Sequence, residues 1–169
     1  MDHWWAPWRL AYVTSASGTD NSCIFCRLTP DQDLAREDLI LIRGGCSHVI
    51  LNLYPYNSGH LMVVPDRHIP TLAAMTPEEQ LELMRFTRLA EMALTEAYHP
   101  QGINIGINLG RSAGAGVVDH LHVHLVPRWT GDTNFMTVIG DVRVLPEDLE
   151  TTAKKLRPIF ERLQRDETR

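Results

Sequence analysis

The stretch HLHVHLVPR, at residues 120–128, places a histidine at every second position. Side chains alternate between the two faces of a β-strand, so a strand here predicts that His120, His122 and His124 share one face. The apolar residues between them then point the opposite way, into a hydrophobic core. Neighbouring rings on the histidine face would lie about 6.5–7 Å apart along the strand.

Three interpretations of this histidine face are open. The first is a polar strand facing solvent, although Lys, Thr or Glu would serve equally well there. The second is a metal site formed by all three histidines, which is disfavoured because residues i and i+4 of a strand are generally too far apart to share an ion. The third is chemistry on an anion, since imidazole can attack phosphorus, transfer protons and carry charge near neutral pH.

The rest of the chain predicts strands next to one another and helices set apart from them. Strands are expected at residues 39–43, 48–53, 60–65, 102–109 and 120–128, with a turn at 57–59. The clearest helix has Thr76 as its N-cap, Pro77 at its first position and Glu79 completing a capping box. It should end near Tyr98, because Pro100 cannot continue it.

Two apolar stripes at helical spacing predict which helix faces are buried. The stripe of the first helix consists of Leu81, Met84, Leu89, Met92 and Ala93. The stripe of a second, C-terminal helix consists of Leu149, Ala153, Leu156, Phe160 and Leu163. Pro158 should kink or interrupt that second helix. The order of strands and helices predicts an α+β fold.

Composition limits the protein class. A chain of 169 residues, 44% of them hydrophobic, is the size of one domain with a full core. The net charge of −5 argues against a general nucleic-acid binder, although a local positive site could still bind a small anion. Because no apolar run approaches the length of a signal peptide core or a membrane span, we expect a cytoplasmic protein.

Cys23 and Cys26 form a pair separated by two residues, and Cys46 stands apart from them. A close pair within an odd number of cysteines suits a metal site better than a disulfide framework. A redox role would need a thioredoxin-like βαβ context, which the following sequence does not supply. Zinc would need two further ligands to complete a tetrahedron. Cys46 is predicted to be a small core residue.

A triad of alternating histidines followed by two apolar residues and Pro-Arg resembles the signature of the histidine-triad (HIT) superfamily. The resemblance extends over most of the chain, through residues 52–65 and 106–114. It implies one HIT domain over residues 1–169, built on an antiparallel sheet with one long helix and a C-terminal helix. It also implies a homodimer that extends the sheet across a two-fold axis.

The resemblance also implies a two-step reaction. His122 would attack the α-phosphate of a nucleotide and form a covalent nucleotidyl-histidine, which water or another acceptor then releases. His124 would support the phosphate, and His120 would complete the catalytic triad. Asn52 would bind the ribose, and Asn108 would bind on the phosphate or ribose side.

The loop before the triad is expected to contact phosphate. Backbone N–H groups around Gly114 and Gly116 could bind an anion closely, since glycine has no side chain in the way, although a flexible loop is the alternative. Many family members carry Gln or Ser shortly before the first histidine, where residues 113–119 have neither. Arg111 and Ser112 are the candidates to replace it, while Arg111 could instead face solvent.

In zinc-bearing HIT proteins, the two ligands besides the cysteine pair come from a histidine after the first conserved block and from the first triad histidine. The matching positions are His68 and His120, so the resemblance implies a structural zinc held by Cys23, Cys26, His68 and His120. Such a zinc would tie the N-terminal segment to the histidine strand. The alternative is an empty cysteine pair.

A Trp-rich arm at about residues 1–13, with WWAPWRLAY at 4–12, resembles bacterial diadenosine tetraphosphate phosphorylases. This branch implies adenine nucleotides, dinucleoside polyphosphates and inorganic phosphate as partners. Each Trp could also serve packing or dimer contacts. A dinucleoside polyphosphate hydrolase or an adenosine phosphoramidase is the alternative activity, and the intact His122 argues against a non-enzymatic nucleotide-binding module.

Overall fold

The structure is a computed structural model that describes residues 23–26, 38–132 and 147–167, so the predicted Trp-rich arm lies outside the described residues. Five strands form one antiparallel sheet in the order β1-β2-β3-β5-β4. Their bounds are β1 (Ile40–Arg43), β2 (Ser47–Leu51), β3 (Leu61–Pro65), β4 (Gly102–Ile107) and β5 (Val123–Arg128). Two helices, α1 (Pro77–Tyr98) and α2 (Leu149–Glu167), complete the α+β fold that the sequence predicts.

The two faces of the sheet pack against different partners. One face joins α1 and α2 in the main core, which includes Leu121, Val123 and Leu125. The other face carries a smaller apolar cluster, which we call the outer cluster; it consists of Phe25, Ile40, Ile50, Met62 and Val64. Because side chains alternate along the chain, the three triad histidines lie on the outer-cluster side of the sheet.

The last strand begins later than the sequence predicts. β5 starts at Val123, so His120 and His122 precede it. The backbone N–H of Leu121 donates to the carbonyl of Ile69 at 2.7 Å, and the chain there pairs with the segment after β3 instead of with β3 itself. The alternation nevertheless continues through this segment, because Leu121 is buried in the main core.

Helix α1 begins where its local signals place it. The side chain of Thr76 accepts a hydrogen bond from the N–H of Glu79 at 3.2 Å, and Glu79 accepts one from the N–H of Thr76 at 2.8 Å. This reciprocal pair confirms the predicted capping box. The helix ends at Tyr98, and His99 caps it in the left-handed conformation with φ of 45°.

The predicted buried stripe of α1 is wrong for three of its five residues. Leu81, Met84 and Met92 are 74%, 67% and 41% exposed, whereas Leu89 and Ala93 are buried. The buried face consists of Leu83, Phe86, Leu89, Ala90, Ala93 and Leu94. The helix carries apolar residues on two faces, and the sheet packs against the face that contains Phe86. Helical spacing alone could not choose between the two.

Helix α2 packs with its predicted stripe, but Pro158 does not interrupt it. Pro158 lacks an N–H, so the carbonyl of Lys154 loses its helical partner. Both residues are exposed, and water can hydrate that carbonyl. Leu156 and Phe160 are fully buried on either side of the proline and hold the helix to the core. No helix in the described ranges is long and apolar enough to cross a membrane.

Candidate active site

His122 is held in the form that a nucleophile needs. Its Nδ1 lies 2.8 Å from the backbone carbonyl of His120, to which it can only donate. The proton is therefore on Nδ1, and Nε2 keeps its lone pair. Burial lowers the pKa of His122, which is 4% exposed, so the neutral ring is favoured near pH 7.

A chain of hydrogen bonds fixes the opposite tautomer on His124. The N–H of Tyr56 donates to Nδ1 of His60 at 3.0 Å, so the proton of a neutral His60 is on Nε2. That Nε2 donates to Nδ1 of His124 at 3.0 Å, which leaves the proton of His124 on its own Nε2. Burial, and then the neighbouring His122, lower the pKa of His124 to about 4.

The rings of His122 and His124 are closer than the strand spacing predicts. Their centroids are 4.7 Å apart and their planes meet at 78°. The predicted spacing counted only the rise of the backbone, whereas the two rings tilt toward each other. A lone pair on one ring and an N–H on its neighbour therefore lie side by side, an arrangement that can attack a phosphorus atom and donate to its oxygens.

Cys23, Cys26, His68 and His120 form a second group, the Cys2His2 cluster, whose four ligand atoms all lie within 4.8 Å of one another. Nδ1 of His120 is 3.2 Å from Sγ of Cys23 and 3.5 Å from Sγ of Cys26, and Nδ1 of His68 is 3.2 Å from Sγ of Cys26. Tetrahedral zinc with its usual bond lengths separates sulfur and nitrogen ligands by about 3.5 Å. The cluster therefore fits a zinc ion.

The chemistry of the cysteines agrees with that geometry. Burial raises the pKa of Cys23, but the side-chain contact with His120 and hydrogen bonds from the backbone N–H groups of Cys26 and Phe25 outweigh it and lower the pKa to about 6. Burial and the nearby Cys23 thiolate raise the pKa of Cys26 to about 11. Two thiolates this close repel each other, and a divalent cation between them would remove that repulsion.

His120 has both ring nitrogens engaged. Its Nδ1 faces the two cysteines, and its Nε2 donates to the carbonyl of Pro65 at 2.8 Å. A second hydrogen bond of this kind orients a metal-binding imidazole and fixes its tautomer. The structure thus places His120 in the Cys2His2 cluster, two residues before His122 but without a free nitrogen to offer a substrate.

Cys46 lies outside the Cys2His2 cluster and is half-buried, so its prediction as a core residue is wrong. Its backbone N–H donates to Glu82 at 2.7 Å, and burial together with Glu82 raises the pKa of its thiol to about 11. The carboxylate of Glu82 draws the start of β2 toward α1, which keeps Cys46 at the margin of the core.

A model of the HIT domain matches residues 35–131 of the sequence. The chain belongs to the HIT family. A curated relative from Mycobacterium tuberculosis (strain ATCC 25618 / H37Rv), named AP-4-A phosphorylase, is 42% identical over 159 residues, which are 90% of this chain and 80% of the relative. A bis(5'-adenosyl)-triphosphatase from Dictyostelium discoideum is 29% identical over 134 residues, which are 76% of this chain and 89% of the relative.

The fold agrees with that of solved HIT proteins. A Zn-bound histidine triad family protein from Mycobacterium smegmatis superposes with a TM-score of 0.68 and 27% identity, covering 86% of this chain and 97% of that one. The five-stranded antiparallel sheet with two helices is therefore a HIT fold, and the protein is a HIT-family enzyme. The relatives include both a phosphorylase and a triphosphatase by name, so membership of the HIT family leaves the acceptor open.

Of the two asparagines predicted to bind the nucleotide, Asn52 contacts a histidine of the site directly. Asn52 accepts a hydrogen bond from the N–H of Tyr54 at 2.9 Å, and its Nδ2 lies 3.4 Å from Nε2 of His60. Asn108 immediately follows β4, whose last residue, Ile107, pairs with Val123, the residue after His122. Both asparagines are half-buried.

The loop before the HIT triad is more closed than the sequence indicates. Its glycines Gly110 and Gly114 have φ of 81° and 91°, which their lack of a side chain allows. The N–H of Gly114 donates to the carbonyl of Arg111 at 2.9 Å, so this expected phosphate donor is engaged within the loop. Arg111 and Ser112 are exposed, and Arg111 has no ion-pair partner within the described ranges.

His60 is the functional candidate that sequence reasoning missed. It lies within residues 52–65, which resemble the HIT family, but no sequence pattern assigns it a role. It is 1% exposed, and its contacts set the tautomer of His124. Strand alternation carries the missing signal, because Met62 of β3 pairs with His124 and His60 lies two positions earlier on the same face.

Proposed function

We propose that this HIT-family enzyme transfers a nucleotidyl group through a covalent intermediate on His122 and uses inorganic phosphate as the second acceptor. The substrate would be diadenosine tetraphosphate and the products ADP and ATP. The observation that carries this proposal is the tautomer of His122, whose Nδ1 is tied to a carbonyl while Nε2 keeps its lone pair. The hydroxyl of a serine or the ammonium group of a lysine would first have to lose a proton to a base before it could attack phosphorus.

In the first step, Nε2 of His122 would attack the α-phosphorus and form a P–N bond. The P–O bond to the rest of the polyphosphate breaks, and ATP leaves. In the second step, an oxygen of inorganic phosphate would attack the same phosphorus, the P–N bond would break, and ADP would leave. Nε2–H of His124 is the nearest ring donor and would hold a phosphate oxygen through both transition states.

Two observations favour phosphate over water as the acceptor. The M. tuberculosis relative, 42% identical over 90% of this chain, carries the name of a phosphorylase. Arg111 is exposed, without an ion-pair partner within the described ranges, and lies three residues before Gly114, whose φ is positive. An incoming phosphate needs positive charge that water does not need, and the Arg111 guanidinium would supply it. Gly116 and the residues after it would supply the backbone donors.

We also propose that zinc occupies the Cys2His2 cluster as a structural ion. The ligand distances and the opposed pKa shifts of Cys23 and Cys26 support it, as does the Zn-bound relative from M. smegmatis. Zinc would neutralise the thiolates and join the Cys23–Cys26 segment to His68 and His120. The backbone carbonyl of His120 in turn accepts the hydrogen bond that fixes His122.

The assembly and location remain proposals. β4 is an edge strand of the sheet, and the exposed apolar face of α1 at Leu81, Met84 and Met92 suits a second copy of the chain. A homodimer that extends the sheet across a two-fold axis would use both features. The predicted cytoplasmic location likewise remains a proposal.

Product analysis tests the reaction. The protein is incubated with diadenosine tetraphosphate, with and without saturating inorganic phosphate, and the nucleotides are resolved. We expect ADP and ATP with phosphate; AMP and ATP at saturating phosphate would show a hydrolase and overturn the choice of acceptor.

The turnover of His122→Ala should fall more than about a thousandfold, while the variant still binds nucleotide. His99→Asn, at the exposed helix cap, is the matched histidine control, and Arg111→Ala should weaken phosphate use.

A further inference from the structure

We infer that Asn57 is a positioning residue for His124, because its side chain joins the turn at residues 56–59, which leads into His60, to the end of the strand that carries His124. The inference rests on the proposed role of His124 in holding a phosphate oxygen. It extends the hydrogen-bond chain of Tyr56, His60 and His124 by a further residue. Asn57 acts through His60, so it is not a catalytic residue.

The Asn57 side chain bonds to β5 at a point that β3 does not reach. β3 begins at Leu61, which pairs with Leu125, so Pro127 lies beyond the paired residues of these two strands. There, Nδ2 of Asn57 donates a hydrogen bond to the carbonyl of Pro127 at 3.1 Å. Beyond the strand pairs, the Asn57 amide therefore attaches the turn before β3 to the end of β5.

Asp132 determines which end of the Asn57 amide faces β5. Its Oδ2 accepts a hydrogen bond from Nδ2 of Asn57 at 3.0 Å. The Arg128 guanidinium donates to both oxygens of the same carboxylate, at 2.6 and 2.9 Å, and the N–H of Trp129 donates to Oδ2 at 3.1 Å. Because an ionised carboxylate only accepts, the amide must present its NH2 group on this side. Oδ1 of Asn57 then accepts from the N–H of Ser58 at 3.1 Å.

The turn that Asn57 holds binds both the backbone and the ring of His60. The carbonyl of Asn57 accepts a hydrogen bond from the N–H of His60 at 3.1 Å, and the N–H of Tyr56 donates to Nδ1 of the His60 ring at 3.0 Å. A shift of the turn would move this donor away from Nδ1, so the proton of His60 would no longer be confined to Nε2. The tautomer and direction of His124, which depend on that proton, would then vary as well.

The turn keeps its overall shape without the Asn57 side chain. Gly59 has a φ of 77°, and a Cβ at this residue would lie 3.0 Å from the Tyr98 ring and 3.3 Å from Pro127, so the backbone already packs closely against α1 and β5. Asn57 itself does not have a positive φ, and alanine therefore fits its backbone. Asn57→Ala should fold and change only the position of the turn.

Asn104 provides a matched control in the same network. Its Oδ1 accepts a hydrogen bond from Nη1 of Arg128 at 2.8 Å, and its side chain is exposed. It lies in β4, which β5 separates from β3 and the turn. Asn104→Ala thus makes the same chemical change beside Arg128 but leaves the hydrogen bonds of Asn57 in place.

The first test does not depend on the reaction. The nitrogen NMR signals of an imidazole show which of its two nitrogens carries the proton. Asn57→Ala should mix the tautomers of His60 and His124 but leave His122 with its proton on Nδ1, and Asn104→Ala should give the spectrum of the wild type. If His60 and His124 each keep a single tautomer in Asn57→Ala, the inference is wrong.

The kinetic test compares Asn57→Ala, Asn57→Asp and Asn104→Ala with the wild type at equal zinc content. We expect kcat of Asn57→Ala to fall roughly 5- to 20-fold with KM within about threefold, because a misdirected His124 affects the transition state more than substrate binding. Asn57→Asp keeps the volume but places a second carboxylate against Asp132, so its loss should be larger. A kcat of Asn57→Ala within twofold of that of Asn104→Ala would overturn the inference.

A combination with His60→Gln tests the route from Asn57 to His124. Because Asn57 acts through His60, adding Asn57→Ala to His60→Gln should lower kcat by less than about twofold further. Losses that multiply would show a general structural effect of Asn57 and refute the inference. If the wild type forms no nucleotidyl-His122, the proposed function fails, while the NMR comparison still decides whether Asn57 positions His124.

Discussion

At the scale of single residues, a backbone group decides which nitrogen of each imidazole carries the proton, either directly or through a neighbouring histidine. His122 meets a carbonyl and carries its proton on Nδ1. His60 meets the N–H of Tyr56 and carries its proton on Nε2, and this choice is passed on to His124. At the same pH, His122 thus presents a lone pair and the neighbouring His124 presents an N–H.

The His60 chain predicts a loss of activity at a residue outside the triad. His60→Gln removes the ring donor that sets His124, so the N–H of His124 no longer has a fixed direction. A hydrogen bond to a charged group contributes about 1.5–3 kcal/mol, so we expect kcat to fall roughly 10- to 100-fold with a smaller change in KM. Steady-state kinetics beside His99→Asn checks this. Normal turnover in His60→Gln would show that His124 is oriented by another group.

The Cys2His2 cluster predicts different behaviour for two cysteines of the same chain. Cys26→Ser removes one ligand, whereas Cys46→Ser changes a thiol outside the cluster. Purified wild type and Cys46→Ser should hold about one zinc per chain, and a chelator should lower their melting temperatures. Cys26→Ser should hold less zinc and respond less to the chelator. Metal analysis finding equal zinc in both variants, or none in the wild type, would contradict the structural zinc.

At the scale of elements, the start of α1 is fixed by a carboxylate that accepts three hydrogen bonds. Glu79 is buried, completes the capping box with Thr76 and binds the Arg67 guanidinium through both oxygens, at 2.8 and 2.6 Å. Hydrogen bonds from Arg67, and then from the N–H of Thr76, lower the pKa of Glu79 from an ordinary value of 4.5 to about 2. Arg67 also immediately precedes His68, so the residue that binds the start of α1 is adjacent in the chain to a residue of the Cys2His2 cluster.

This lowered pKa predicts an acid-sensitive contribution to stability. Because the folded pKa is below the unfolded one, the ionised carboxylate stabilises the fold fully above pH 4.5, and the contribution is lost as pH falls toward 2. Glu79→Gln should therefore melt at a lower temperature than the wild type at pH 7, and the difference should shrink below pH 4.5. Thermal denaturation across pH measures it, with Glu78→Gln in the same helical turn as control. A pH-independent difference would assign the effect to packing.

The elements differ in how far the sequence could predict them. The start of α1 is encoded within four residues, so Thr76 and Glu79 predict it without knowledge of the fold. The buried face of the same helix depends on which side meets the sheet, and Leu81 and Met84 are no less apolar than the buried residues. The start of β5 depends on the contact of Leu121 with Ile69, which no local pattern contains.

The candidate site divides in the same way. The triad and the cysteine pair are visible as spacing, and the resemblance supplied His68. The role of His60 needed the strand register, and the contact of Phe25 with His122 needed the packing of a segment against a sheet far along the chain. Contacts between residues distant in sequence are the part that a single sequence does not show.

At the scale of the whole molecule, the unpartnered face of α1 predicts the oligomeric state. Met84→Glu places a charge at a side chain that is 67% exposed in one chain, so it should leave the fold and melting temperature of a monomer unchanged. In a dimer built on this face, it should separate the subunits. Light scattering should give twice the chain mass for the wild type and for Lys154→Glu, an exposed charge reversal on α2, but not for Met84→Glu. A monomeric wild type would refute the dimer.

The contact between Cys23 and His120 joins positions 97 apart in the chain, and that separation has a kinetic consequence. Closing so large a loop is entropically unfavourable, so the four ligands meet only after the sheet between them has formed. Zinc would then bind after the transition state for folding. It should leave the refolding rate almost unchanged and slow unfolding, so that the bound ion prolongs the lifetime of the native protein without helping it to fold.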